Sequence, residues 1–154
     1  MTENERYLDQ LAAVEKNLAA LYRRAAAAFS LPECAMWALY FLHASCRALS
    51  QRDLAEMMMF PKQTVNSAVT NLEKKGLIEL TAAPGARNRK NIVLTCEGQK
   101  LVAHTVTILR KAEANAVARL GEEKTKRFAA LHEEFLAALN EELTQEGVFA
   151  DERE

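Results

Sequence analysis

The sequence holds few of the residues that break or cross-link a chain. Its 154 residues include 5 Gly, 3 Pro and 3 Cys, and aromatic residues make up 6%. So few cysteines, at positions 34, 46 and 96, exclude a disulfide framework and favour a reducing compartment. No apolar run approaches the roughly 18 residues of a membrane span, and the polar start MTENERYLDQ does not resemble a secretory signal. We therefore expect a cytoplasmic protein with no membrane partner.

Charge is nearly balanced over the whole chain but is unevenly distributed along it. The net charge is −1, yet residues 47–100 carry 9 basic and 5 acidic side chains, while residues 101–154 carry 7 and 11. This basic middle section predicts that any polyanionic partner binds there.

Two long amphipathic segments flank the middle section. From Tyr7 to Ala28, apolar residues recur in alternating steps of four and three, and a similar stripe follows Gly121. Both stripes would be exposed in a monomer, which predicts a homodimer, although an intramolecular three-helix pack is the alternative. The residues expected at the dimer contact are Leu11, Val14, Leu18, Leu21, Phe128, Leu131, Phe135 and Leu139.

The elements between these segments follow a recognisable order. We predict helices at about Glu33–Ala44, Gln51–Met58, Pro61–Lys75 and from Thr95 to about Leu120, and strands at Leu77–Thr81 and Asn91–Thr95. A capping box, Ser50 with Asp53, begins the short helix, and a left-handed Gly76 follows the next one. The predicted fold is mainly α: a winged helix-turn-helix with a two-stranded wing and flanking long helices.

The outward face of the Pro61–Lys75 helix is unusual. Val65, Ala68, Val69 and Leu72 share the side that should pack inward. The opposite side carries Gln63, Thr64, Asn66, Ser67, Thr70, Asn71 and Lys74. Amides and hydroxyls match the donors and acceptors of base edges in the major groove, and Lys62 and Lys75 add charge for phosphates. The alternative is a solvated face that has few carboxylates by chance.

Two further groups are predicted to contact DNA. The tip of the wing carries Arg87, Asn88, Arg89 and Lys90, which fit a minor groove or phosphates, although a run of charge is often only solvated surface. Gln51 and Arg52 lie in the first turn of a helix, where backbone N–H groups also favour phosphate.

The run LSQRDLAEMMMFPKQTVNSAVTNLEKKGLIEL, followed by GARNRKNIVLTCEGQKL, resembles the MarR family of bacterial transcriptional regulators. The resemblance implies a homodimer, a recognition helix at Pro61–Lys75 and a wing arginine at Arg87. It also implies repression that a small ligand or an oxidant relieves. We therefore expect a dimerisation region in residues 1–30 and 101–147, a DNA-binding region in 31–100 and a frayed tail in 148–154.

Two positions depart from the pattern common in that family. Gly85 stands where an Asp often holds the wing arginine, so Arg87 is expected to be less preorganised. Met59 stands where the turn before the recognition helix often has Gly.

Effector chemistry leaves several alternatives open. Met36, Trp37 and Tyr40 are candidates to line a pocket for a small aromatic effector, or they belong to the core. Cys34 and Cys96 lie near helix N-termini, where the dipole lowers a thiol pKa, so each is either an oxidant sensor or an inert cysteine. The three histidines lack metal-ligand spacing, and we expect neither metal nor cofactor.

The sequence therefore predicts a homodimeric, sequence-specific DNA-binding regulator, a repressor acting on a near-palindromic operator. The rival prediction is a winged-helix module that binds a protein partner and has little specific affinity for DNA. We do not expect an enzyme, because the chain lacks a phosphate-binding glycine loop, a nucleophile elbow and recognisable paired carboxylates.

Overall fold

The computed structural model describes residues 2–82 and 90–149. Gly85, Arg87, Asn88, Arg89 and most of the predicted tail therefore lie outside the described residues. The helices are α1 (Glu3–Ala28), α2 (Glu33–Ala44), α3 (Gln51–Met58), α4 (Lys62–Lys74), α5 (Cys96–His104), α6 (Val106–Leu120) and α7 (Glu122–Gln145), and the strands are β1 (Ile78–Ala82) and β2 (Lys90–Leu94). This is the predicted mainly α winged helix-turn-helix.

The chain divides into two compact units, Met1–Leu109 and Arg110–Glu154. The first contains the core, in which Leu39 of α2, Leu54 of α3 and Val65 of α4 are completely buried. In the second unit, none of the described residues of α7 is buried.

The ends of the short helices show why the sequence folds in this way. Ser50 and Asp53 form both bonds of the predicted capping box at the start of α3. Gly76 adopts φ 66°, and the Leu77 N–H donates to the Leu72 carbonyl at 3.0 Å, which completes a Schellman motif after α4. Pro61 is the N-cap of α4 rather than its first helical residue, within the usual latitude of helix boundaries.

The wing is an antiparallel pair in which Ile78 faces Leu94 and Ala82 faces Lys90, one residue from the predicted strand bounds. A third segment joins it, because the Ile92 N–H donates to the Leu49 carbonyl at 2.7 Å. This bond ties the segment before α3 to the middle of β2.

The helix predicted from Thr95 to Leu120 is wrong in one respect. The side chain of Thr95 caps it as expected, accepting from the Gly98 N–H at 3.1 Å. However, the helix is interrupted at the buried Thr105, which adopts φ −131° and ψ −81° and separates α5 from α6. Its hydroxyl donates to the Leu101 carbonyl at 2.7 Å, a local bond that competes with regular helical structure.

Among the described residues, no single helix is long and apolar enough to cross a bilayer. Only α1 and α2 taken together pass that test, and they are bent by 91°.

Candidate nucleic-acid interface

The α4 helix presents two chemically distinct sides, as the sequence predicted. Val65, Ala68, Val69 and Leu72 are buried, with exposed fractions of 9% or less. All seven predicted reading positions are exposed: Gln63, Thr64, Asn66, Ser67, Thr70, Asn71 and Lys74, together called the polar face below. Burial of the apolar side against α2 and α3 therefore fixes the direction in which the polar face points.

The polar face is continuous and uncovered within the described part of the chain. Gln63, Asn66, Ser67, Thr70 and Asn71 line one shallow, open depression of about 330 Å³. The Ser67 hydroxyl already donates to the Gln63 carbonyl at 2.9 Å. Ser67 can therefore only accept a hydrogen bond from a ligand. No described residue forms a side-chain hydrogen bond with the amides of Gln63, Asn66 or Asn71, so both their donors and their acceptors are open to a ligand.

The first turn of α3 also remains accessible. Gln51 is half-buried and Arg52 is exposed. The Arg52 Nε donates to the Glu56 carboxylate at 2.8 Å, and this hydrogen bond, together with the charge of Glu56, raises the pKa of Arg52. The guanidinium is therefore charged but already paired within its own helix. Both partners are largely exposed, so this surface pair is weak and can exchange.

Sequence reasoning missed a neighbouring ion pair. The Arg47 Nη2 lies 3.1 Å from the Asp53 Oδ1, and the other carboxylate oxygen of Asp53 accepts from the Ser50 N–H at 2.7 Å. Arg47 thus holds the carboxylate that caps α3. The two partners are six positions apart, and this spacing matches no helical or strand period in the sequence.

The cations around the polar face differ in their surroundings. Lys62, Lys74, Lys75 and Lys90 are exposed, and none of them forms an ion pair within residues 2–82 and 90–149. They can therefore meet external anions without first losing a carboxylate partner. Of the predicted wing-tip contacts, only Lys90 lies within the described residues.

Met59 adopts a left-handed conformation in the turn between α3 and α4, with φ 56° and ψ 23°. Its side chain is 88% exposed. In the family that the sequence resembles, Gly is common at this position. The positive φ explains that preference, because Gly adopts positive φ without strain.

The effector candidates fall into different environments. Met36 is completely buried, whereas Trp37 and Tyr40 are half-buried and their ring centroids lie 5.2 Å apart. Tyr22 of α1 packs against Trp37 at 4.8 Å, so this aromatic cluster joins α1 to α2. Its role as an effector pocket stays a prediction.

The expectation of a lowered thiol pKa is wrong for Cys34. This residue is buried, and burial raises its pKa, with a further rise from the adjacent Glu33 carboxylate. Desolvation of the thiolate by burial is the larger of these two causes. Cys46 and Cys96 are exposed. Within the described residues, no group of three or more His, Cys, Asp or Glu could hold a metal ion.

Comparison with known proteins agrees with this geometry. Residues 31–87 match the profile of the MarR family, which confirms the resemblance inferred from the sequence. Among curated protein sequences, none gives a significant match.

Solved structures of transcriptional regulators share the fold along nearly the whole chain. NMB1585, a MarR family regulator from Neisseria meningitidis, aligns with a TM-score of 0.78 at 21% identity, over 91% of this chain and 98% of its own. MepR from Staphylococcus aureus in complex with DNA gives 0.72 at 26%, over 90% and 99%. MepR in its DNA-binding conformation gives 0.68 at 28%, over 88% and 98%.

Proposed function

We propose that this MarR-like protein is a sequence-specific DNA-binding transcriptional regulator that acts as a homodimer on a near-palindromic operator. The observation that carries the proposal is the polar face of α4. In a winged helix-turn-helix, the helix after the turn is the one that enters the major groove. Here that helix exposes amides and hydroxyls without a single carboxylate among its seven reading positions.

The chemistry of the polar face suits base edges. An Asn or Gln amide can bond to adenine N6 and N7 together, because it offers one donor and one acceptor side by side. Gln63, Asn66 and Asn71 are exposed and retain both functions. A solvated surface helix would more commonly carry Glu, which phosphate would repel.

Phosphate contacts would position α4 in the groove. The N-terminal N–H groups of α3, Arg52 and the lysines of α4 would provide the positive charge for these contacts. The wing adds Lys90 and, from the sequence, Arg87, Asn88 and Arg89. Since phosphate contacts release counterions, the proposal predicts an affinity that falls steeply with salt.

The dimer is supported by apolar side chains that one copy of the chain leaves exposed. Leu11, Val14, Leu18 and Leu21 of α1 are between 45% and 61% exposed, and Phe128, Leu131 and Leu139 of α7 are between 40% and 61% exposed. A second copy would cover both stripes. Two-fold symmetry would then place two α4 helices about one DNA turn apart, which requires two inverted half-sites.

The solved relatives support the same function. One of the MepR structures is a complex with DNA, and that chain is 26% identical to this one. By analogy, we propose repression that ends when an effector acts on the protein, in the cytoplasm and without catalysis.

The test is a binding measurement on near-palindromic sequences upstream of the protein's own gene, at two salt concentrations, against scrambled DNA of the same composition. Specific readout predicts a clear preference for one sequence, and Asn66→Ala should reduce that preference by roughly 1–3 kcal/mol. Asn140→Ala, an exposed amide on α7, is the matched control and should change nothing.

Equal affinity for the operator and the scrambled DNA would overturn the proposal. Weak, sequence-independent binding together with a stable protein partner would instead favour an interaction module.

A further inference from the structure

A second cavity lies beside the polar face, between the start of α2 and the flank of α4. It measures about 200 Å³ and is called the α2–α4 cavity below. It is separate from the aromatic cluster around Trp37, because none of the cluster residues lines it. Ala35 and Leu72, both buried, and the half-buried Leu77 form part of a wall that is mostly apolar.

The polar groups of the cavity come mainly from α4. Ser67 and Asn71 lie on α4 and Lys75 is its C-cap residue; the three recur at steps of four, and all are exposed. Lys75 forms no ion pair within the described residues, and its flexible stem lets the ammonium approach the mouth of the cavity. Glu33, the carboxylate nearest in sequence on α2, does not line the cavity.

Cys34 is a further polar residue of the cavity wall. Cys34 lines the cavity, is only 7% exposed, and forms no hydrogen bond within the described part of the chain. The cavity thus combines the buried thiol of Cys34, an apolar wall and the ammonium group of Lys75, which has no ion-pair partner among the described residues. Among the described lining residues, none carries an aromatic ring, so the wall offers contact to aliphatic groups but no stacking.

We propose that the α2–α4 cavity binds a compact aliphatic monocarboxylate, with its hydrocarbon body against Ala35, Leu72 and Leu77 and its carboxylate beside Lys75. The size agrees, because a dry cavity of roughly 150 Å³ holds a six-carbon molecule. A ligand of about eight heavy atoms, of which the carboxylate stays near solvent, would bind with a dissociation constant on the order of 1 mM.

Occupation of this cavity would interfere directly with DNA binding. Ser67 and Asn71 belong both to the cavity wall and to the polar face, so a bound carboxylate would lie against two reading side chains and add negative charge next to the duplex. The carboxylate and the operator would therefore bind in competition, each weakening the other by the same factor. This effect on DNA rests on the proposed function, whereas the binding of the carboxylate does not.

The first test needs no DNA. In a Cys46→Ser, Cys96→Ser protein, Cys34 is the remaining thiol, and its reaction with methyl methanethiosulfonate reports whether the cavity is open. Hexanoate at 10 mM should slow that reaction by about tenfold, whereas acetate at equal ionic strength should not. Hexanamide, which has the same body without the charge, should protect Cys34 much less.

Matched variants locate the carboxylate. Lys75→Gln should abolish most of the protection by hexanoate, and Lys74→Gln, which removes the neighbouring cation outside the cavity, should preserve it. Both positions are exposed, so neither change disturbs the core. Equal labelling rates with and without hexanoate, or equal protection in the two variants, would overturn the proposed site.

The second test measures operator affinity in the presence of hexanoate. Competition predicts about a tenfold loss at 10 mM in the unaltered protein and a smaller loss in Lys75→Gln. If Cys34 is protected but operator affinity is unchanged, the site stands and the competition is wrong. If no sequence is bound specifically, the proposed function fails, and the labelling result still decides the site.

Discussion

The middle of the chain and its two outer helices use the same amphipathic patterning with opposite results. In α4, Val65 and Val69 are fully buried, whereas Val14 of α1 and Phe128 of α7 are each 61% exposed. The middle section therefore completes its core within one chain, and the outer helices do not. An apolar stripe predicts that this side of a helix is buried, but it does not identify what packs against it. For the outer helices, we propose that a second copy of the chain packs against the stripes.

The largest effect is expected from a charge placed in the apolar stripe of α1. Leu18→Glu should raise the dissociation constant of the dimer by roughly two to four orders of magnitude, because two leucines lose their burial, each worth about 1.5–3 kcal/mol. Sedimentation velocity over a range of concentrations measures the change. DNA affinity should fall as well, since a monomer has one reading helix.

Asn17→Glu provides the control, because it adds the same charge to the neighbouring exposed position. A dimer that survives Leu18→Glu, or an unaltered chain that sediments as a monomer, would show that the stripe is covered in another way.

The next largest effect is expected at Gly98, in the middle region. A Cβ on Gly98 would lie 1.9 Å from the carbonyl oxygen of Leu77, and this oxygen also accepts from the Thr95 N–H at 3.1 Å. The backbone would have to move, so Gly98→Ala should lower the free energy of unfolding by about 3 kcal/mol, at the upper end of the overpacking range. Urea denaturation measures the loss.

Gly147→Ala is the counterpart in the second unit. Gly147 has φ 70°, but an added Cβ there meets no atom within 4 Å. Only the left-handed conformation opposes the alanine, so the loss should be about 1 kcal/mol or less, near a helix end. Equal losses at the two positions would contradict the view that close packing in the middle region makes Gly98 necessary.

Gly98 also shows how far the sequence could predict the structure. Helix positions, the capping box at Ser50 and the left-handed Gly76 all depend on neighbouring residues, and all were predictable from local patterns. Gly98 was marked only by its place in the run GARNRKNIVLTCEGQKL, which is part of the family resemblance. Its physical reason, the approach of the Leu77 carbonyl, joins residues 21 positions apart and has no local signal.

The candidate site was predictable to a similar extent. The helical period of the apolar residues showed which side of α4 packs inward, and the residue types on the opposite side identified the polar face. The Arg47–Asp53 pair, the break at Thr105 and the α2–α4 cavity depend instead on tertiary packing or on a single residue's competing hydrogen bond. Burial also reversed the expected direction of the Cys34 pKa shift. The sequence showed that Cys34 lies near a helix N-terminus, but it did not show that the thiol is buried.

A smaller effect, of opposite sign, is expected in the turn of the middle region. Met59→Gly should raise the free energy of unfolding by about 0.5–1 kcal/mol, because the strain of φ 56° disappears and the added freedom of the unfolded chain offsets only part of it. Met57→Gly, two residues earlier within α3, should lower it by about 1 kcal/mol. Thermal unfolding of the two variants should therefore shift in opposite directions, and a destabilised Met59→Gly protein would assign the exposed methionine a packing role.

The smallest effect concerns Arg52, which we propose to contact a DNA phosphate. In the free protein its Nε donates to Glu56 at 2.8 Å, so binding to phosphate has to displace this carboxylate. Glu56→Gln removes the competing charge and should raise operator affinity about twofold, in line with exposed helical ion pairs. Glu113→Gln on α6 removes one acidic charge outside the proposed DNA surface and is the control. Fluorescence anisotropy at low salt measures both, and the gain should vanish in an Arg52→Gln background. A gain that persists there would mean that Glu56 repels DNA directly, and Arg52 would then not be a phosphate contact.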